Sequence, residues 1–221
     1  MKIFIFITTL LIARVHLVYS QHSDTLNLPV FYKYLSLDLH KSIPLQFDGS
    51  GYVIEPEVIF QRKNIIFPVL LGISEVNKIL YDDFKYKSNG KYMKLGVGFQ
   101  TNYYKDENGS DHTIFGISGI VSYHNEVGNK VLEGYYFDDY IVDMTRSNVS
   151  YGVEIFFSFR KIFKNDFFIV ITPKIAINLD ELDYIPVPVY YLPGFGVIRH
   201  NFGSEYGGVA VESSFRIGYK F

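Results

Sequence analysis

Apolar and polar positions alternate along this chain in eight separate runs. The run at 93–100 is the clearest, because Met93, Leu95 and Phe99 alternate there with polar residues and glycine. A period of two residues is typical of a β-strand with one apolar and one polar face. The other runs lie at about 35–40, 52–60, 65–73, 115–124, 149–160, 167–178 and 209–221. Eight such strands predict an all-β protein, a closed antiparallel barrel with both termini on one side.

The connections between the runs alternate in length. Those at about 61–64, 104–111 and 162–166 are short, whereas those at 41–50, 75–91, 125–147 and 179–206 are long. Outer-membrane barrels combine tight periplasmic turns with long external loops. The pattern therefore predicts a transmembrane β-barrel whose long loops are extracellular. Apolar runs at 135–142 and 187–191 leave open an extra hairpin and ten strands.

The N-terminus has the pattern of an export signal. Lys2 precedes a mostly apolar run from Ile3 to Ile12, and Val18 and Ser20 are the small residues of a cleavage site before Gln21. Ten apolar residues are too few to span a hydrocarbon core of about 30 Å. We therefore predict a signal peptide at 1–20, a short N-terminal segment at 21–31 and a barrel domain at 32–221, located in the outer membrane.

Composition narrows the chemistry further. The chain has 19 Tyr, 20 Phe and 18 Gly but no Trp and no Cys. The absence of cysteine excludes disulfides, thiolate metal sites and a cysteine-linked lipid anchor. Without Lys2 and Arg14 of the signal, 19 basic residues remain against 23 acidic ones, about −4. This balance excludes nucleic acid as a partner, and no motif indicates a cofactor or a metal.

The polar faces of the runs are rich in glycine and serine, as the crowded lumen of an eight-stranded barrel requires. Tyr and Phe concentrate near the strand ends of the apolar faces, which is typical of aromatic girdles at membrane interfaces. With the polar faces inward, five acids and five bases lie in the lumen and are expected to form a paired charge network. Its members are Asp38, Glu55, Glu57, Lys94, Glu154, Arg160, Lys174, Glu212, Arg216 and Lys220. The prediction is a filled lumen rather than a wide pore.

The last run ends in a pattern that resembles the assembly signal of outer-membrane barrels. Phe215, Ile217, Tyr219 and Phe221 are apolar at alternate positions. The resemblance implies recognition by the barrel-assembly machinery. The segments Lys91–Gly98 and Tyr191–Gly196 are similar to a Bacteroidetes family of small outer-membrane barrels. That family has no assigned activity, so the resemblance implies a fold and a location but no functional residues.

We therefore expect a non-enzymatic barrel of structural or interaction type, which contacts outer-membrane lipid and acts through its extracellular loops on an unknown partner. One alternative is a lipid hydrolase that uses a rim histidine, with His40, His112 and His124 near strand ends. No serine lies in a nucleophile-elbow sequence, however. A soluble eight-stranded ligand-binding barrel is a weaker alternative. The proline- and aromatic-rich segment 184–196 is expected to be a lid over the barrel or a partner surface.

Overall fold

The structure is a computed structural model that describes residues 32–38, 51–81, 84–132, 140–180, 189–199 and 208–221. The predicted signal peptide at 1–20 and the segment at 21–31 lie outside the described residues. The regular elements in the described ranges are all β-strands. No helix of sufficient length and apolarity to cross a membrane occurs in these ranges.

The strands form a closed antiparallel barrel. They are β1 (Tyr32–Asp38), β2 (Gly51–Ile54), β3 (Pro56–Arg62), β4 (Ile65–Tyr81), β5 (Phe84–Asp106), β6 (Gly109–Leu132), β7 (Tyr140–Phe163), β8 (Phe167–Asn178), β9 (Val189–Leu192), β10 (Gly196–Arg199) and β11 (Val209–Lys220). Strands β1, β3 to β8 and β11 pair in that order, and β11 closes the circle by pairing with β1. Because β2 and β3 pair with β4 in one register, they are two halves of a single strand interrupted at Glu55. The wall therefore has eight strands, which confirms the predicted barrel and its strand number.

The two ends of the barrel differ. At one end, β3–β4, β5–β6 and β7–β8 are joined by tight turns at 63–64, 107–108 and 164–166. Lys63 and Asp166 adopt φ angles of 54° and 61° there, in the left-handed region that tight turns use. Strand β1 begins and β11 ends at the same end, where the Phe221 N–H donates to the Lys33 carbonyl at 2.8 Å. We call this the tight-turn end and the opposite one the far end.

Strands β4 to β7 are much longer than the sequence pattern predicts. They contain 17, 23, 24 and 24 residues and extend towards the far end beyond the other strands. The prediction of loops at 75–91 and 125–147 was therefore wrong for most of these residues. In the far halves of these strands, polar residues occur on both faces, so the sequence shows no alternation with a period of two. Backbone pairing in a hairpin does not require an apolar face, and the strands therefore continue.

Strands β9 and β10 are not part of the barrel wall. They form a hairpin whose one described backbone pairing with the wall joins Arg199 to Val209. Its tip, Leu192–Gly196, is buried. Positions on the inner face of the wall lie against this tip: Gly90 faces Pro193, Gly152 faces the Phe195 ring, and Tyr92 packs on Gly194. The tip therefore enters the lumen from the far end, and we call it the plug.

Small residues on the inner wall make room for large ones directly opposite. Gly72, Gly98, Gly116 and Gly218 pair across the sheet with Tyr92, Ile66, Phe156 and Phe168. A Cβ atom at any of these glycines would lie within 3 Å of the opposite side chain. This pairing explains how eight strands enclose bulky inward side chains at normal packing density.

Candidate functional site

Charged and polar side chains fill much of the barrel interior, whereas the outside of the barrel is largely apolar. Buried polar or charged side chains of the described residues include Asp38, Glu55, Glu126, Lys94, Glu154, Arg160, Lys174 and Arg216. The exposed set, by contrast, contains large apolar residues from consecutive strands, such as Phe67, Leu71, Leu95, Phe99, Phe115, Ile117, Tyr151, Ile155 and Ile171. In a water-soluble domain the apolar residues are the ones most often buried. The chemistry of this chain is therefore concentrated in its interior.

Arg216 is the centre of one charged group, which we call the arginine cluster. Its guanidinium lies 3.7 Å from Asp38, 3.1 Å from Glu55 and 2.8 Å from Glu57, measured between nitrogen and oxygen atoms. Both Arg216 and Asp38 are buried, so water screens these pairs little. Two hydroxyls add hydrogen bonds: Ser36 donates to Glu57 at 3.0 Å, and Tyr92 donates to Glu55. The cluster joins β1, β2–β3, β5 and β11 across the lumen.

A second charged group, which we call the lysine cluster, consists of Lys94, Glu154, Lys174 and Glu212. Glu154 is 2.5 Å from the Lys94 ammonium and 3.4 Å from that of Lys174, which also lies 3.5 Å from Glu212. These four residues come from β5, β7, β8 and β11. Two acids therefore neutralise two bases inside the barrel, as a low-dielectric interior requires.

The remaining two residues of the predicted network are placed differently. Arg160 is buried, but its guanidinium lies over the Tyr34 ring at 4.5 Å and the Phe168 ring at 5.6 Å rather than beside a carboxylate. Lys220 lies at the tight-turn end, partly exposed, with its ammonium 4.7 Å from the Tyr32 ring. The structure thus brings together eight of the ten residues in two clusters and separates Arg160 and Lys220 from them.

An apolar layer closes the interior towards the tight-turn end. It consists of Tyr34, Ile59, Ile66, Ile114, Phe156, Ile162, Phe168 and Val170. The Tyr34 hydroxyl donates to Gln61 at 2.9 Å, and Gln61 donates to Gln100 at 3.0 Å. These polar groups cover the apolar layer on the side of the tight turns. Between the apolar layer and the charged clusters lies a cavity of about 40 Å³. The lumen is therefore filled in layers, from the apolar layer through the charges to the plug.

Sequence reasoning missed Tyr92 and the plug as parts of the interior. Tyr92 lies on the polar face of its run, beside small residues, and its ring crosses Gly72 on the neighbouring strand to reach Glu55. The signal available in the sequence was Tyr92 itself, a bulky residue on a lumen-facing strand face where most residues are small. The segment at 184–196 was expected to be a lid over the barrel or a partner surface, but the tip of its described part enters the lumen, and residues 184–188 lie outside the described residues.

The histidines are not arranged as a hydrolase site in the part of the chain that the structure describes. His40 lies outside the described residues. His124 is buried beside Pro193 of the plug, with its Nε2 atom 4.0 Å from Glu126. His112 Nε2 is 2.9 Å from Ser110 Oγ, a contact that follows from their spacing of two on one strand. Neither His112 nor Ser110 lines the cavity.

The predicted assembly residues all lie on β11 or directly after it. Phe215 and Tyr219 are exposed on the outer face, and Ile217 and Phe221 are partly exposed. The rings of Tyr219 and Phe221 pack edge to face at 5.2 Å, and β11 pairs with β1 and β8. The four residues therefore form one outward ridge at the seam where the barrel closes.

Among the described residues, no group of three histidine, aspartate or glutamate side chains is arranged to hold a metal ion. No family model matches the chain, and no curated protein matches it either. The resemblance to the Bacteroidetes barrels therefore stays a prediction.

Proposed function

We propose that this protein is an outer-membrane β-barrel of structural or interaction type, with a filled lumen and a working surface at the far end. The observation that carries the proposal is the inverted burial of the barrel, charged inside and apolar outside. Contiguous exposed apolar patches on soluble monomers rarely exceed a few hundred Å². A belt of apolar side chains on consecutive strands fits contact with lipid tails.

The dimensions of the belt support the same proposal. On β6 its aromatic borders are Phe115 and Tyr123, both 52% exposed, and Val127 is a further exposed apolar residue beyond Tyr123. The eight steps from Phe115 to Tyr123 measure about 27 Å along a strand, and a tilt of about 40° shortens that to roughly 20 Å. The apolar band of outer-membrane barrels is about 25 Å tall. Exposed tyrosines border the far edge of the belt, and exposed phenylalanines together with tyrosines border the other edge, where interfacial aromatic rings are expected. The border residues include Tyr52, Tyr123 and Tyr151 at the far edge, and Phe99, Phe115 and Phe159 towards the tight turns.

The interior argues against a soluble ligand-binding barrel. Such proteins enclose a largely apolar pocket of about 300–1,000 Å³. Here the cavity is about 40 Å³ and its walls include Lys94, Glu154, Arg160 and Arg216. The Ser110–His112 contact lies outside this cavity, so no observation favours the hydrolase as a second function. Outer-membrane lipid and the barrel-assembly machinery are the proposed partners, and the far end is the proposed surface for an extracellular partner.

The protein is expected to sediment with outer membranes and to need detergent for extraction. Its unboiled form should migrate differently from the boiled form on denaturing gels, because a closed barrel resists unfolding by detergent. Cell fractionation followed by paired boiled and unboiled samples measures both properties. Recovery as a soluble periplasmic monomer would contradict the proposal.

Phe221→Asp is expected to lower the amount of folded barrel in the membrane sharply, because the proposed assembly signal loses its last ring. Phe163→Asp is the matched control, since Phe163 is also a partly exposed ring at the tight-turn end but lies on β7. Quantitative blotting of the unboiled folded form measures the effect in cells. Refolding of the purified variant in detergent micelles should stay close to the parent, since recognition is lost rather than packing. Equal cellular levels for both variants would exclude the assembly role.

A further inference from the structure

Arg160 is a buried cation whose hydrogen-bonding capacity is mostly unused. The residue is 3% exposed, and its Nε and Nη1 atoms have no hydrogen-bond partner. Its guanidinium lies 4.5 Å from the centre of the Tyr34 ring and 5.6 Å from that of the Phe168 ring. No carboxylate lies within 4 Å of it in the described part of the chain, since every described ion pair of the lumen involves another base. A buried guanidinium normally pairs with an anion, because burying an isolated charge is costly.

The acids of the lumen are engaged elsewhere. Asp38, Glu55 and Glu57 surround Arg216, and Glu154 and Glu212 neutralise Lys94 and Lys174. Glu57 is the acid whose charge acts on Arg160, but its Oε2 atom is held by Arg216 at 2.8 Å and by Ser36 at 3.0 Å. The positive charge that lacks a close counter-charge is therefore at Arg160.

The cavity of about 40 Å³ lies beside this guanidinium. Four bases line it, Lys94, Arg160, Lys174 and Arg216, together with only two acids, Glu57 and Glu154. Hydroxyl donors complete the wall. Ser158 and Thr172 hydrogen-bond each other at 2.8 Å, and the Ser214 Oγ atom is buried without a partner. Bases and hydroxyls that converge on one small space are the donor set of an anion site.

We propose that this cavity binds one small inorganic monovalent anion of halide size, held by Arg160 and the surrounding hydroxyls. A water molecule needs about 10–15 Å³ of such space, so the cavity takes about three water-sized spheres. This volume accommodates a halide with one or two waters and excludes an organic ligand. The bound anion supplies the counter-charge that Arg160 lacks. The inference concerns the interior alone and does not depend on the membrane location proposed above.

Urea unfolding of the purified barrel in detergent tests the proposal. The titration compares sodium chloride with sodium gluconate at constant ionic strength, because gluconate is too large for the cavity. A ligand that binds only the folded state lowers the unfolding equilibrium constant by the factor 1 + [L]/Kd. We expect chloride to lower it about a hundredfold at a hundred times the dissociation constant, and gluconate to leave it unchanged.

Two variants identify the site. Ser214→Val fills the cavity without removing a charge and should fold, since it exchanges an unpartnered hydroxyl for methyl groups. Its unfolding should no longer respond to chloride. Arg160→Met removes the cation and should lose the same response. Lys87→Ala, which changes a solvent-exposed base outside the lumen, should keep the full response of the parent.

Crystals grown in sodium bromide give a direct readout, because bromide scatters anomalously. An anomalous peak beside Arg160, absent in Ser214→Val, is expected. The proposal is overturned by equal unfolding curves in chloride and gluconate, by an unchanged chloride response in Ser214→Val, or by a cavity without an anomalous peak. Equal curves or a missing peak would mean that water alone satisfies the guanidinium, and an unchanged response in Ser214→Val would mean that chloride binds outside this cavity.

Discussion

Arg216→Ala is expected to lower the free energy of unfolding by about 3–5 kcal/mol, the usual effect of removing one partner from a buried ion pair. Arg216 lies within 4 Å of Asp38, Glu55 and Glu57, and it is 5% exposed. Its loss leaves three acids facing one another in a space that water enters poorly. Like charges at this separation repel strongly when solvent does not screen them. Urea unfolding of the purified barrel in detergent measures the change.

Lys87→Ala is the matched control for this substitution. Lys87 also pairs with a glutamate, Glu75, at 2.8 Å, but its side chain is 48% exposed and the pair lies at the far edge of the apolar belt, where Glu75 is opposite Tyr52 across the sheet. A hydrogen bond from the Lys87 ammonium holds the pKa of Glu75 below its usual value. Exposed pairs of this kind contribute little to stability, so the urea midpoint of unfolding should stay close to that of the parent.

Planar-bilayer recordings extend the same experiment to the lumen. A filled barrel should conduct no large, stable current, either as the parent or as Arg216→Ala. A hydrated pore would behave in the opposite way, because water would solvate the remaining acids. Large conductance steps whose ion selectivity changes in Arg216→Ala, with an unchanged unfolding midpoint, would show that the clusters line a channel.

Phe195→Ala is expected to release the plug while the barrel stays folded. Phe195 is 1% exposed and its ring lies against Gly152. Truncation of a buried phenylalanine to alanine costs about 3–5 kcal/mol. Within the described residues, the hairpin pairs with the wall through Arg199 and Val209 alone, so we expect the lost packing energy to loosen the hairpin before the wall. Trypsin cleavage after Arg199 should accelerate about a hundredfold at the lower figure, because proteolysis follows the population of the open form.

Mass spectrometry of the tryptic products, with the folded barrel followed on unboiled gels, measures plug release separately from global unfolding. Phe115→Ala is the control, since it removes a ring of the same size from the outer wall, where Phe115 is 52% exposed. Cleavage after Arg199 should keep the parent rate in this variant. Equal rates for parent and Phe195→Ala would show that the plug is not anchored by its ring.

The sequence by itself determined the strands and their faces. Each run of alternating residues corresponds to one strand of the wall, and the interruption at Glu55 is the only described break within a run. The period of two is a local property, because successive side chains point to opposite faces. It therefore placed Lys94 and Arg216 on the polar face of their strands without any knowledge of the neighbouring strands, and the small residues of that face predicted that it points inward.

The partners of those inward charges were decided by the tertiary structure. Arg216 and Glu55 are 161 residues apart and meet only because β11 closes the barrel against β1. Alternation assigned Arg160 and Lys94 to the same interior, yet Lys94 lies beside Glu154 and Arg160 lies beside aromatic rings. The register and stagger of the strands decide which acid lies beside which base. The sequence pattern contains no information about register or stagger.

The plug and the long hairpins also depended on contacts that no local pattern describes. Leu192–Gly196 has the composition of a turn. It fits inside the barrel because Gly152 and Gly90 have no side chains and leave space for Phe195 and Pro193. The far halves of β4 to β7 have polar residues on both faces, so their pairing comes from hairpin geometry rather than from burial. The sequence determined which residues share a face of each strand because that division is local. The filling of the lumen was decided by distant residues that meet only when the barrel closes.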